Sequence, residues 1–69
     1  MPFVQINILE GRTPEQKETL IEKTTDLIQE VLGSPRTAVR VMINEMKPEH
    51  WGIAGESVAV RRKKEQEQK

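Results

Sequence analysis

Apolar and polar residues alternate from Pro2 to Leu9. Val4, Ile6 and Ile8 fall on one face, and Phe3, Gln5, Asn7 and Leu9 on the other. A period of two with one fully apolar face and one mixed face predicts a half-buried strand. Glu10-Gly11-Arg12 breaks the alternation and reads as a loop. The period then lengthens: Leu20, Ile21, Thr24, Leu27, Ile28, Val31 and Leu32 recur at helical spacing. Thr13 is placed to cap this helix, Pro14 suits its first position, and Gln16 completes a capping box. Glu15 and Glu18 suit the positive end of the helix dipole. Gly33 stands where a left-handed C-terminal cap belongs, and Pro35 prevents continuation. The predicted helix therefore runs from Pro14 to Leu32, with Lys17, Glu22, Lys23, Asp26 and Glu30 on a solvated face.

Ser34 to Thr37 is a connection, after which Val39 to Met46 alternates again. Val39, Val41 and Ile43 form the apolar face; Arg40, Met42, Asn44 and Met46 form the mixed one. Two strands separated by a long helix predict a β-α-β unit with parallel strands and a right-handed crossover. Lys47-Pro48-Glu49 is a turn, and His50 to Gly55 is a loop carrying Trp51 and the glycines Gly52 and Gly55. Ser57 to Val60 reads as a short terminal strand or half of a hairpin. Nearly every residue from Arg61 to Lys69 is charged or an amide, which predicts a disordered tail after a domain spanning residues 1–60. Glu65 and Glu67 follow Arg61-Arg62-Lys63-Lys64 directly, so a solvated tail is preferred here over an anion site.

A parallel sheet is normally covered on both faces. The helix covers one; Phe3, Leu9, Met42 and Met46 lie on the other, and no segment remains to cover it. The 69-residue chain has no cysteine and one histidine, His50, so neither disulfides nor a metal centre can reinforce so small a core. A homo-oligomer is expected instead. The fold class is thus α/β: a single β-α-β unit with a short C-terminal strand or hairpin, completed by oligomerisation. Lysine plus arginine equals aspartate plus glutamate at 11 each, which gives no electrostatic case for nucleic acid or an anionic membrane. No apolar run approaches the roughly 20 residues of a membrane span, and no secretory signal is evident, so a cytoplasmic location is expected.

The candidate chemistry starts at Pro2. Met1 is followed by a small residue and is a substrate for aminopeptidase trimming, which would leave Pro2 with a free secondary amine. An α-amino group titrates at about 7.7–8. Burial and neighbouring cations lower that value, and a neutral amine at pH 7 is a general base. Arg12 in the first loop and Arg40 on the mixed face of the second strand suit a substrate with carboxylate and keto oxygens, because guanidinium pairs with carboxylate in bidentate fashion. Trp51 can exclude water. Each also has a bland reading: a surface charge for Arg12, an interface ion pair for Arg40, a packing anchor for Trp51. His50 reads as a loop or interface histidine.

Taken together, Pro2, Ile8-Leu9-Glu10-Gly11-Arg12, Gln16-Lys17, Val39-Arg40-Val41, Glu45-Met46 and His50-Trp51-Gly52-Ile53 resemble the 4-oxalocrotonate tautomerase (2-hydroxymuconate tautomerase) family, from Pro2 to about Glu56. The resemblance implies a tautomerase-like fold assembled as a hexamer, a trimer of dimers. It implies a cofactor-independent, metal-free isomerase of aromatic hydrocarbon catabolism that converts 2-hydroxydienoates to 2-oxo acids. Pro2 would be the catalytic base. Arg12 would grip the distal carboxylate, and Arg40, supplied by a neighbouring subunit, would engage the 2-keto oxygen and adjacent carboxylate. Leu9, Trp51 and Ile53 would line the substrate site. Trp51 departs from the family's usual phenylalanine, which leaves a keto–enol tautomerase of phenylpyruvate-like monocarboxylates as the alternative. Dehalogenase and hydratase relatives place a carboxylate where Ile53 stands; Glu56 is the nearest candidate for that role. A non-catalytic assembly is the remaining reading.

Overall fold

The computed structural model describes residues 1–67. Strand β1 (Phe3–Leu9) leads to helix α1 (Pro14–Leu32), a 3-10 turn at Arg36–Ala38 and strand β2 (Arg40–Met46). A second 3-10 turn (Pro48–His50) precedes the short strands β3 (Gly52–Ile53) and β4 (Glu56–Ser57), and helix α2 (Val58–Glu67) follows.

The predicted caps of α1 form. Thr13 Oγ1 accepts the Gln16 N–H at 3.1 Å, and Gln16 Oε1 accepts the Thr13 N–H at 3.0 Å. Gly33 closes the helix at φ 69°, and its N–H donates to the Gln29 carbonyl at 3.0 Å. Only glycine adopts this left-handed geometry without Cβ strain. The crossover brings β1 and β2 together in parallel, from Phe3 opposite Arg40 to Leu9 opposite Met46.

Val4, Ile6 and Ile8 of β1 and Val41 and Ile43 of β2 are half-buried on one face of the pair, and Val39 just before β2 is 9% exposed. Glu45 continues this face at the end of β2, where its carboxylate meets Lys17 Nζ of α1 at 2.8 Å. Along α1 the half-buried or buried positions are Lys17, Ile21, Thr24, Thr25 and Ile28. The Thr25 hydroxyl is satisfied by the Ile21 carbonyl at 2.8 Å. The apolar stripe is wider than this contact: Leu20, Leu27 and Val31 point about a quarter-turn away and remain exposed, Leu27 at 56% and Val31 at 69%.

The opposite face of the pair is open. Phe3, Gln5, Asn7, Arg40, Met42 and Asn44 are all exposed there. Asn7 Oδ1 accepts from Asn44 Nδ2 at 3.2 Å and from Gln5 Nε2 at 3.3 Å, forming a row of amides across the strands. The chain has an accessible surface of 5482 Å², whereas a folded monomer of 7.9 kDa should expose about 4,400 Å². Its radius of gyration is 16.2 Å, against about 11 Å for a closed domain of this length.

The C-terminal segment differs from expectation. The predicted hairpin is present, with Gly52 opposite Ser57 and Ile53 opposite Glu56, but the terminal strand ends at Ser57 instead of reaching Val60. Helix α2 then continues through Glu67, where a disordered tail was expected. Gln68 and Lys69 lie outside the described residues. The reason is local. Ser57 Oγ accepts the Val60 N–H at 3.2 Å and starts the helix, Arg, Lys, Glu and Gln all propagate helices well, and Lys64 Nζ reaches back to Glu56 Oε2 at 2.5 Å.

Candidate active site

The parallel register separates the candidate residues into two groups. Pro2 and Arg40 sit at the leading end of the strands, joined by a hydrogen bond from the Arg40 N–H to the Pro2 carbonyl at 3.0 Å. The Arg40 guanidinium turns back on its own connection, and Nη1 donates to the Thr37 carbonyl at 2.6 Å and the Val39 carbonyl at 3.4 Å. Two backbone acceptors thus fix its position while its other N–H groups stay available.

Leu9, Arg12 and Trp51 gather at the trailing end, about 20 Å away by the rise of a seven-residue strand. They line a cleft of about 490 Å³ together with Asn7, Ile8, Glu10, Gly11 and Arg62. Gly11, at φ 124°, lets the chain turn sharply out of β1 and present Arg12 to this cleft. Trp51 is held by the 3-10 turn before it and by α2 after it. Its N–H donates to the Pro48 carbonyl at 3.5 Å, and its carbonyl accepts the Val58 N–H at 2.8 Å. Among the described residues, neither Arg12 nor Arg62 has an ion-pair or hydrogen-bond partner.

Ile53 is not part of the cleft; it is 45% exposed on the hairpin. His50 is exposed at the end of its turn. Glu56 is turned toward α2, and the hydrogen bond and charge of Lys64 hold its carboxyl below the ordinary range, with Arg61 adding to the effect. A carboxylate so engaged is a poor water-activating base. Among the described residues, no group of three or more His, Cys, Asp or Glu side chains could hold a metal ion, and no helix is long and apolar enough to cross a membrane.

Arg62 is the cleft residue that the sequence pattern hides. It lies within a charge run, and nothing in that run alone distinguishes it from its neighbours. The signal is its spacing: Arg62 is four residues after Val58, which is tied to Trp51, so one helical face carries both.

Comparison with known proteins agrees with this architecture. The profile of the family described as "Tautomerase enzyme" matches residues 2–61. The 2-hydroxymuconate tautomerase of Stutzerimonas stutzeri is 56% identical over 57 residues, covering 83% of this chain and 90% of that protein. The crystal structure of TomN, a 4-oxalocrotonate tautomerase homologue in the tomaymycin biosynthetic pathway, superposes with a TM-score of 0.88 at 44% identity, covering 90% of this chain and 95% of TomN. A heterohexamer 4-oxalocrotonate tautomerase from Chloroflexus aurantiacus superposes with a TM-score of 0.82 at 36% identity, covering 86% and 95% of the two chains. With a shared β-α-β fold and a family match over most of its length, the chain belongs to the tautomerase family.

Proposed function

We propose that this chain, once Met1 is removed, is a 2-hydroxymuconate-type tautomerase that uses the Pro2 nitrogen as its proton carrier. The observation that carries the reading is the division of the candidate residues between opposite ends of one strand pair. The leading end offers the prospective amine and an anchored arginine. The trailing end offers an unpaired arginine in a cleft with Trp51. A small dicarboxylate cannot span the strands, so a complete site needs the Pro2 end of one copy beside the Arg12 end of another, with Arg40 contributed by a neighbouring subunit as the family resemblance implies. The open sheet face and the exposed stripe of α1 supply the surfaces for such an assembly, and the expected hexamer, a trimer of dimers, would bring the ends together.

The chemistry is proton transfer. With Met1 attached, the Pro2 nitrogen is an amide and has no basicity. In the trimmed chain, the neutral secondary amine removes the 2-hydroxyl proton of a 2-hydroxydienoate. Arg40 stabilises the charge that develops on the C2 oxygen as the dienolate forms. The protonated amine then returns the proton to carbon and yields the 2-oxo acid. Arg12 holds the far carboxylate so that the reacting carbon lies within reach of the nitrogen. The two guanidinium groups also favour the neutral amine, which keeps the base active near pH 7.

The test is the decay of 2-hydroxymuconate absorbance across pH, on protein whose mass shows Met1 removed. The expected profile rises through one limb below neutrality, and Pro2→Ala lowers kcat by about 10²- to 10⁴-fold. Arg12→Ala should mainly raise KM. Equal loss of kcat and kcat/KM on that change would contradict the assigned roles, and no acceleration over buffer by trimmed protein would remove the substrate assignment. One observation favours the phenylpyruvate-type monocarboxylate reading: the cleft wall is the large indole of Trp51. Turnover of phenylenolpyruvate in preference to 2-hydroxymuconate would select it.

A further inference from the structure

We propose that Lys17 is a positioning residue for Arg12: by holding the Glu45 carboxylate, it keeps the Arg12 guanidinium free for the carboxylate of a substrate. The inference rests on Arg12 being a carboxylate-binding residue of the cleft, as proposed above. Arg12 stands on the boundary between two depressions. One is the cleft that it shares with Trp51. The other is a groove of about 230 Å³, lined by Arg12 together with Ile8, Gln16, Lys17 and Leu20. Glu45 lies directly opposite Ile8 in the strand pair, and its carboxylate meets Lys17 Nζ at 2.8 Å. Arg12 and Lys17 thus line one groove beside the Glu45 carboxylate, and Lys17 is the cation that engages it.

A carboxylate in this position draws a cation. Glu45 continues the apolar row of Val39, Val41 and Ile43 against α1, and the side chains of Lys17 and Glu45 are only 28% and 34% exposed. A carboxylate partly withdrawn from water is destabilised without a partner. By chemistry alone arginine is the better one, because its planar fork takes a carboxylate in bidentate fashion whereas lysine is a point charge. Placement favours Lys17. The capping box of Thr13 and Gln16 orders the first turn of α1 and presents Lys17 to β2, whereas Arg12 lies outside the helix, in the loop after β1. The same capping box engages Gln16 Oε1 with the Thr13 N–H, so this groove oxygen is already occupied. Arg12 has no ion-pair or hydrogen-bond partner among the described residues. Without Lys17, Glu45 becomes an unpaired acceptor beside a groove that Arg12 already lines, and a guanidinium turned toward it is lost to the cleft. The ammonium charge of Lys17 also repels Arg12 from the groove.

Trp51 lines the cleft, is the only tryptophan, and has no tyrosine to compete with it, so its fluorescence reports on ligands beside Arg12. Trimmed, full-length protein would be titrated with adipate, a dicarboxylate probe, at constant ionic strength, alongside Lys17→Met, Glu45→Gln, their double variant and Arg12→Ala. Lys17→Met is expected to weaken adipate binding about tenfold, the worth of one charge-assisted contact. Glu45→Gln and the double variant should bind within about twofold of the parent, because neither leaves a carboxylate to capture Arg12 and a partly exposed ion pair adds little stability by itself. In the Arg12→Ala background, Lys17→Met should add nothing further. In turnover, Lys17→Met should raise KM for 2-hydroxymuconate by a similar factor, with kcat retained and KM for phenylenolpyruvate near the parent value. A pair that only held α1 on the sheet would give a different pattern: Glu45→Gln as damaging as Lys17→Met, no rescue in the double variant, and an effect that persists without Arg12. That pattern, or adipate binding unchanged by Lys17→Met, would overturn the inference. Should Lys17→Met not fold, Lys17→Gln, which can still donate to Glu45, takes its place with a smaller expected loss and the same rescue. Lys17-dependent adipate binding, rescued by Glu45→Gln in a protein without turnover, would uphold the inference while removing the tautomerase proposal; Pro2-dependent turnover with adipate binding indifferent to Lys17 would do the reverse.

Discussion

Ala54 is the residue whose backbone is at odds with its side chain. It has φ 53° at the tip of the β3–β4 hairpin, followed by Gly55 at φ 88°. Two successive left-handed residues make a two-residue turn that matches the twist of its strands. Gly55 fits this geometry freely; Ala54 does not, because a Cβ in the left-handed region costs about 1–2 kcal/mol. Ala54→Gly removes that cost but adds unfolded-state entropy of about 0.5–1 kcal/mol. The net expectation is a gain of roughly 0.5–1 kcal/mol, visible as a higher melting temperature at fixed protein concentration. A lower melting temperature would show that Ala54 makes contacts in the assembly that outweigh its strain.

At the scale of elements, α1 and α2 contrast. Both ends of α1 are written in the sequence, because Thr13, Gln16 and Gly33 act within one turn of the positions they cap. The faces of β1 and β2 are equally legible, since alternation alone decides which side chains meet α1. Helix α2 is not legible in this way. Val58-Ala59-Val60 carries strand propensity, and the following charges have no apolar stripe, so its order depends on Ser57 and on the Lys64–Glu56 pair. That pair gives α2 a pH dependence. The Glu56 carboxyl is held below its ordinary range in the folded chain, so its contribution is fully present above the unfolded-state value of about 4.3 and is lost as pH falls through the lower folded value. Helicity by circular dichroism should therefore fall more steeply below about pH 4 in the parent than in Glu56→Gln, at low salt. Salt should shrink the difference, because both partners are exposed to solvent. Equal slopes would mean that Ser57 and the Trp51–Val58 bond suffice to hold the helix.

For the whole molecule, accessible surface decides the state. The chain exposes about 1,100 Å² more than a closed monomer of its mass should. Part of that excess is the Leu20, Leu27 and Val31 stripe, and part is the sheet face around Phe3 and Met42. Sequence alternation predicted that this face lacks a cover, but it did not show that α1 also carries an apolar flank pointing away from its own sheet. Helical periodicity merges the two flanks into one broad stripe, and only the packing direction separates them. Leu27→Glu should shift sedimentation velocity profiles toward smaller species and make melting depend more steeply on protein concentration. Unchanged sedimentation would place that flank outside any interface. The candidate site follows the same logic. Residue types and spacing pointed to Pro2, Arg12, Arg40 and Trp51; the parallel register then set them at two ends of the sheet.

The distance between those ends has a genetic consequence under the proposed function. Each polypeptide lends Pro2 to one site and Arg12 to another. A lesion at either end is therefore expressed in a pocket whose other half belongs to an intact neighbour. In a cell making both normal and defective chains, each copy with a lesion at one end spoils one pocket, so alleles at Pro2 or Arg12 should lower activity only in proportion to their share of the chains. Conversely, two defective alleles with lesions at opposite ends can restore some complete pockets when their products assemble together.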